Sequence, residues 1–138
     1  MILVDANILM YAAGAQHPNK APSRRYLEAV ADGRIDGVLD AEILQEVLHR
    51  YRSIGGWAGG RAVYDHARAI FPMVLPITVD VLDAARGLLD KAAGISARDA
   101  LHAAVVETYD LDGICSYDRG FDRLPGLRRT EPEAVIGD

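Results

Sequence analysis

The chain has 138 residues, half of them hydrophobic and a quarter charged, with a net charge of −5 and a single cysteine, Cys115. One globular domain spanning residues 1–138 is expected, and a lone thiol in an apolar stretch reads as a small core residue in a reducing compartment, with the cytoplasm as default. The acidic balance argues against a basic nucleic-acid coat, the chain begins without a basic leader, and no run approaches the roughly 18 apolar residues of a membrane span.

Residues 1–4 form a continuous apolar run, the pattern of a central parallel strand buried on both faces. Asp5 ends that strand, and Asn7 is expected to cap a helix beginning at Ile8. Residues 14–21 read as a loop, and a helix follows from Pro22 or Ser23 to residue 31, closed by Asp32 and Gly33. A second strand is expected over residues 35–39. Asp40 then caps an amphipathic helix, residues 41–52, with Ile43, Leu44, Val47, Leu48 and Tyr51 as its apolar stripe. The four glycines of residues 53–60 point to a mobile turn between antiparallel helices, with Trp57 either packed on the core or exposed. Residues 61–70 suit a helix and 73–77 a third strand. Thr78 caps a helix to about residue 92, with Val81, Leu82, Ala85, Leu88 and Leu89 facing the core, and Gly94 ends it. Ser96 opens a helix so apolar after its first turn that it must be largely buried. Residues 113–116 form a last core strand, and the short tail offers an edge strand. This alternation predicts an α/β fold, a central, mostly parallel sheet of four to five strands with helices on both sides.

The acids carry the chemistry. Asp5 and Asp118 each lie just beyond a core strand, and in a parallel sheet those ends share one edge, where open α/β sheets bind ligands. Either could also be an ordinary turn residue. Glu42 and Glu46 lie one turn apart on the 41–52 helix. At about 100° per residue Glu42 falls nearly opposite the apolar stripe and Glu46 on its flank beside Ile43. The plain alternative for Glu46 is a surface pair with Arg50, contributing about 0.3–0.5 kcal/mol. Asp99 stands third after Ser96, as in a capping box, and a helix N-terminus can hold it ionised beside the core. His102, one turn on, reads as a packed, satisfied histidine, and His17, His49, His66 and His102 form no ligand spacing.

Converging carboxylates raise one another's pKa unless a divalent cation neutralises them. All-oxygen donors select a hard ion, Mg²⁺ or Mn²⁺, and such an ion implies phosphate chemistry. With four acids so committed, the rest of the chain is close to neutral. Its arginine clusters, at Arg24 and Arg25, Arg50 and Arg52, Arg119 and Arg123, and Arg128 and Arg129, suit phosphate, although for any one cluster a solvated helix face is the favoured reading.

Four segments, Val4-Asp5-Ala6-Asn7, the helix from Ile43 through Glu46 to Tyr51, Ala97-Arg98-Asp99-Ala100-Leu101-His102, and Ser116-Tyr117-Asp118-Arg119-Gly120-Phe121-Asp122, stand in a specific order and spacing. In these the chain resembles the PIN-domain ribonucleases, in particular the VapC toxins of bacterial toxin–antitoxin pairs, over essentially its whole length. The resemblance implies a single PIN domain in which Asp5, Glu46, Asp99 and Asp118 bind metal and catalyse. Asn7 and Ser116 orient them, and Asp122 is an additional or supporting acid. It is the resemblance that decides for Glu46 over Glu42. It further implies RNA as substrate, Mg²⁺- or Mn²⁺-dependent endonucleolytic cleavage, a homodimer, and a VapB-like antitoxin that blocks the site. The glycine-rich stretch at residues 55–60 is variable ground through which the substrate groove can be altered.

Two other readings are open. A phosphatase of the haloacid-dehalogenase type needs a second Asp two residues after the first, where this chain has Asn7. A non-catalytic RNA- or antitoxin-binding module on the same fold would bind without divalent-ion dependence.

Overall fold

The computed structural model describes residues 1–136, so the last two residues of the expected domain lie outside the described part. Five parallel strands form the sheet: β1 (Ile2–Val4), β2 (Gly37–Asp40), β3 (Val74–Leu75), β4 (Ile114–Cys115) and β5 (Arg129–Thr130), in the order β3-β2-β1-β4-β5. Helices α1 (Ala6–Ala13) and α2 (Lys20–Ala31) connect β1 to β2, α3 (Ala41–Ser53) and α4 (Trp57–Ile70) connect β2 to β3, and α5 (Val79–Lys91) and α6 (Ala97–Thr108) connect β3 to β4. A 3₁₀ turn (Arg119–Arg123) leads to β5, and α7 (Pro132–Ile136) follows.

The apolar run of β1 is central, as expected, with Leu3 and Val4 fully buried between β2 and β4. The ladder continues one residue past the strand, the Asp5 amide donating to the Cys115 carbonyl at 3.0 Å. Strand order reverses direction at β1, so the crevice between the carboxyl ends of β1 and β4 is the switch point at which such sheets bind ligands. Tyr26, Phe71 and Phe121 fill the core, and in α6 every residue from Ala100 to Val106 is buried, as its composition requires.

Several boundaries differ from the sequence-based expectation. Helix α1 starts at Ala6 and is capped by Asp5, whose Oδ1 accepts from the Ala6 amide at 2.8 Å, so Asn7 is not the cap and its side chain is free for other bonds. Helix α2 begins at Lys20, ahead of Pro22, whose fixed φ fits the first turn. Trp57, half-buried, opens α4, so Gly59 and Gly60 are helical and the turn after α3 is confined to residues 54–56. A Cβ at Gly60 would collide with Tyr51 Cβ, so the crossing of α3 and α4 requires glycine there. On α5, Val81 and Ala85 are buried, whereas Leu82 and Leu89 are 50% and 40% exposed and so do not join the core.

Candidate active site

Asp5, Glu46, Asp99 and Asp118 all line one cleft of about 980 Å³ at the switch point, together with Asn7, Tyr11, Arg50 and Arg98. A smaller groove of about 680 Å³ between α1, α2 and α4 has Glu28 as its only acid among the described residues. The chemistry therefore belongs to the larger cleft.

Each acid is set by local backbone. Asp5 lies at the end of β1, 6% exposed, with Oδ1 on the Ala6 amide and Oδ2 accepting from the Ser116 hydroxyl at 2.6 Å. Ser116 is fully buried just after β4, and its Oγ also accepts from Asn7 Nδ2 and from the Asp118 amide, both at 3.0 Å. Asn7 Oδ1 accepts from the Tyr117 amide at 3.4 Å. Asn7 and Ser116 thus tie the β1 end to the β4 end and fix the Asp5 carboxylate between them. Asp118 caps the 3₁₀ turn, its Oδ1 accepting from the Gly120 amide at 2.8 Å. The Ser96 hydroxyl caps α6 by accepting from the Asp99 amide at 3.0 Å, which leaves the Asp99 carboxylate directed to the cleft.

The carboxylates strain against their surroundings. Burial pushes the Asp5 pKa up to about 6, with Glu46 adding to the rise and His102 and Ser116 opposing it. Burial, and then the charge of Asp118, also raises Asp99. A crowded oxygen donor set whose ionised form the protein underpays fits a hard divalent cation.

Glu46 is not paired with Arg50. Its Oε1 accepts from His102 Nε2 at 2.8 Å and meets Arg98 Nε at 3.2 Å, while Arg98 also lies 3.9 Å from Glu42. Glu42, placed by the helical wheel opposite the apolar stripe, is instead half-buried near Arg98, and burial, then the charge of Glu46, raises its pKa. His102 is buried and satisfied, as expected, but one of its partners is a cleft acid and the other is Asp40 Oδ2, 2.7 Å from Nδ1. Burial alone would depress this histidine. The hydrogen bonds to Asp40 and Glu46 outweigh that and raise it to about 10. Single atoms of Asp5, Glu46 and His102 lie within 4.8 Å of one another, the spacing of a metal site. With Nε2 already donating to Glu46, the imidazole is no ligand in this arrangement, and the available donors are carboxylates.

Asp122 does not join the cleft. Its carboxylate receives Arg129 Nε at 3.0 Å and Nη2 at 3.3 Å, and Arg129 Nη1 donates to the Ser116 carbonyl at 2.9 Å, so Asp122 acts on the β4 end through Arg129. The sequence signal for His102 was its place one turn after Asp99. Nothing local marked Asp40 beyond its role as a cap.

Parallel-sheet topology and acids gathered at the switch point together define a class. The chain belongs to the PIN-domain family, which it matches over residues 2–127. Its relatives include VapC ribonuclease Mb1869c of Mycobacterium bovis and ribonuclease VapC13 of Mycobacterium tuberculosis, each 43% identical over 129 residues, covering 94% of this chain and 98% of theirs. The structure of VapC20 of Mycobacterium tuberculosis, a Sarcin-Ricin loop cleaving toxin, superposes with a TM-score of 0.74 at 16% identity, covering 93% of this chain and 97% of that one.

Proposed function

We propose that the chain is a VapC-type toxin of a type II toxin–antitoxin pair, a cytoplasmic, metal-dependent endoribonuclease that hydrolyses RNA phosphodiester bonds. The observation that carries this reading is the convergence of Asp5, Glu46, Asp99 and Asp118 on one cleft at the switch point of the sheet. These are the residues proposed to hold Mg²⁺, with Mn²⁺ able to substitute. When bound, the ion supplies a Lewis acid that ionises a water and stabilises charge on the leaving 3′ oxygen.

The chain's own residues do the rest. Ser116 and the Ala6 amide fix both oxygens of Asp5, and Asn7 holds Ser116 in place. Arg50 and Arg98 set guanidinium groups beside the acids, suited to a substrate phosphate. Tyr11 lines the cleft, packs against the His17 ring at 4.7 Å and meets Tyr117 edge-on at 5.4 Å, offering aromatic faces to unstacked bases. Asp122 supports the site through Arg129. A VapB-like antitoxin is the proposed inhibitor, acting by a basic side chain among the acids. A second copy of the chain is the proposed assembly partner, and Val79, Leu82 and Leu89 on α5 expose apolar surface for one.

Cleavage of a structured RNA pool by the purified, antitoxin-free protein, with Mg²⁺, Mn²⁺ or EDTA, tests this reading. Cutting should require the divalent ion and be lost in Asp5→Asn and in Asp99→Asn. RNA binding that persists in EDTA, with no cutting under any condition, would instead support the non-catalytic module.

A further inference from the structure

Two side chains that the sequence assigns to capping and packing reach Glu46 from behind the acids. Asp40 divides its carboxylate between two tasks, Oδ1 capping α3 by accepting from the Ile43 amide at 2.9 Å and Oδ2 meeting His102 Nδ1 at 2.7 Å. The other ring nitrogen, Nε2, meets Glu46 Oε1 at 2.8 Å. Asp40 and His102 are 0% and 1% exposed, so no solvent competes for either bond. Carboxylate oxygens on both sides only accept, so both ring nitrogens donate, and the imidazole is a rigid spacer between the cap of α3, Asp40, and Glu46 further along the same helix. Arg98 Nε lies 3.2 Å from the same Oε1. The hydrogen bond from His102 and the nearest approach of Arg98 thus both fall on Oε1, no hydrogen bond among the described residues falls on Oε2, and Glu46 lines the cleft.

We propose that Asp40 and His102 are positioning residues for Glu46, pinning Oε1 so that Oε2 is presented to a divalent cation shared with Asp5, Asp99 and Asp118. The inference rests on reading the cleft as a metal site. It differs from a packing role because the two bonds of His102 then have different consequences. The bond to Asp40 holds the ring, whereas the bond to Glu46 sets the ligand. Partners of this kind behind a metal ligand typically change affinity or activity by about 10- to 100-fold when removed.

Two substitutions separate the bonds. In His102→Asn the amide nitrogen lies near the position of Nδ1, keeping a donor for Asp40 and abandoning Glu46. In His102→Gln it reaches toward the position of Nε2, keeping a donor for Glu46 and abandoning Asp40. Both variants are neutral, so the lost positive charge beside the acids cancels in their comparison. Mn²⁺ titrated calorimetrically into metal-free protein should bind the Asn variant at least about tenfold more weakly than the Gln variant. RNA cleavage should follow, with kcat lower in the Asn variant and KM similar in the two. Thermal stability should run the other way, because the Gln variant leaves Asp40 Oδ2 buried without a donor.

Equal Mn²⁺ affinities and equal kcat values, or the Asn variant performing better, would overturn the inference while a binding, cutting wild type left the nuclease reading intact. A wild type that neither binds Mn²⁺ nor cuts would remove both. Should either variant fail to fold, proton resonances of the wild-type His102 ring decide. The Nε2 proton should move on adding Mg²⁺ and the Nδ1 proton move less, and an Nε2 proton indifferent to Mg²⁺ sinks the proposal.

Discussion

Gly120 shows how tightly single residues are fitted around the acids. A Cβ there would lie 3.0 Å from Asp118 Oδ1 and 3.3 Å from Asp99 Oδ2, so even alanine must displace carboxylates contributed by two different elements. Gly120→Ala is expected to lower cleavage by about 10- to 100-fold, the scale of a sub-ångström to 1 Å misplacement of reacting groups. Urea unfolding of the same variant should change by less than about 1 kcal/mol, because the residue is only half-buried and outside the core. Loss of stability in step with activity would show that Gly120 serves the fold instead. At this scale the sequence was readable where chemistry contradicts local pattern: Asp5 and Asp118 are acids at the ends of apolar strands. It was unreadable where a polar residue already had a local explanation. Asp40 caps a helix and His102 packs in one, and their pairing across 62 residues exists only once the fold brings the His102 side chain to the start of α3.

Among the elements, helix existence followed from periodicity, whereas ends and faces followed from tertiary contacts. The cap of α1 went to Asp5 rather than Asn7 because the β1–β4 ladder carries the chain one residue past the strand and leaves Asp5 extended at the helix start. The core-facing side of α5 is narrower than its apolar composition suggests, since α5 packs on α6 with Val81 and Ala85 buried and Leu82 left exposed. Glycines at 59 and 60 resemble a loop in composition, yet they lie inside α4, and only one is demanded by packing. The pair gives a direct check. Gly59 has open space around its Cβ position, so Gly59→Ala should stabilise the protein by about 0.5–1 kcal/mol through helix propensity and a less flexible unfolded chain. Gly60→Ala drives a methyl into Tyr51 and should destabilise by about 1–3 kcal/mol, as overpacking does. Similar effects from both changes, measured by chemical denaturation, would refute this account of the α3–α4 crossing.

For the whole molecule, the cleft imposes a dependence on pH that its composition alone does not predict. Asp5 has a folded pKa of about 6 against an ordinary value of 3.8, so its contribution to stability is fully present below about 3.8 and is lost as pH rises through 6. His102 has a folded pKa of about 10 against 6.5, so its contribution is fully present below 6.5 and is lost as pH rises through 10. Both slopes have the same sign. In EDTA, the unfolding free energy of the wild type should therefore fall between pH 7 and 9, a window above the carboxylates. In His102→Gln, which has nothing to titrate there, the profile should be flatter and approach that of the wild type as pH rises. A wild type equally stable at pH 7 and 9 would mean that the imidazole is not held charged between Asp40 and Glu46. At pH 7 the folded chain also keeps Asp5 ionised against its burial, and a cation in the cleft relieves that penalty. Mg²⁺ at 100 times its Kd should add about 2.7 kcal/mol by mass action. The same Mg²⁺ concentration should add less at pH 5, where Asp5 must first release its proton, and equal stabilisation at both values would place the ion away from Asp5.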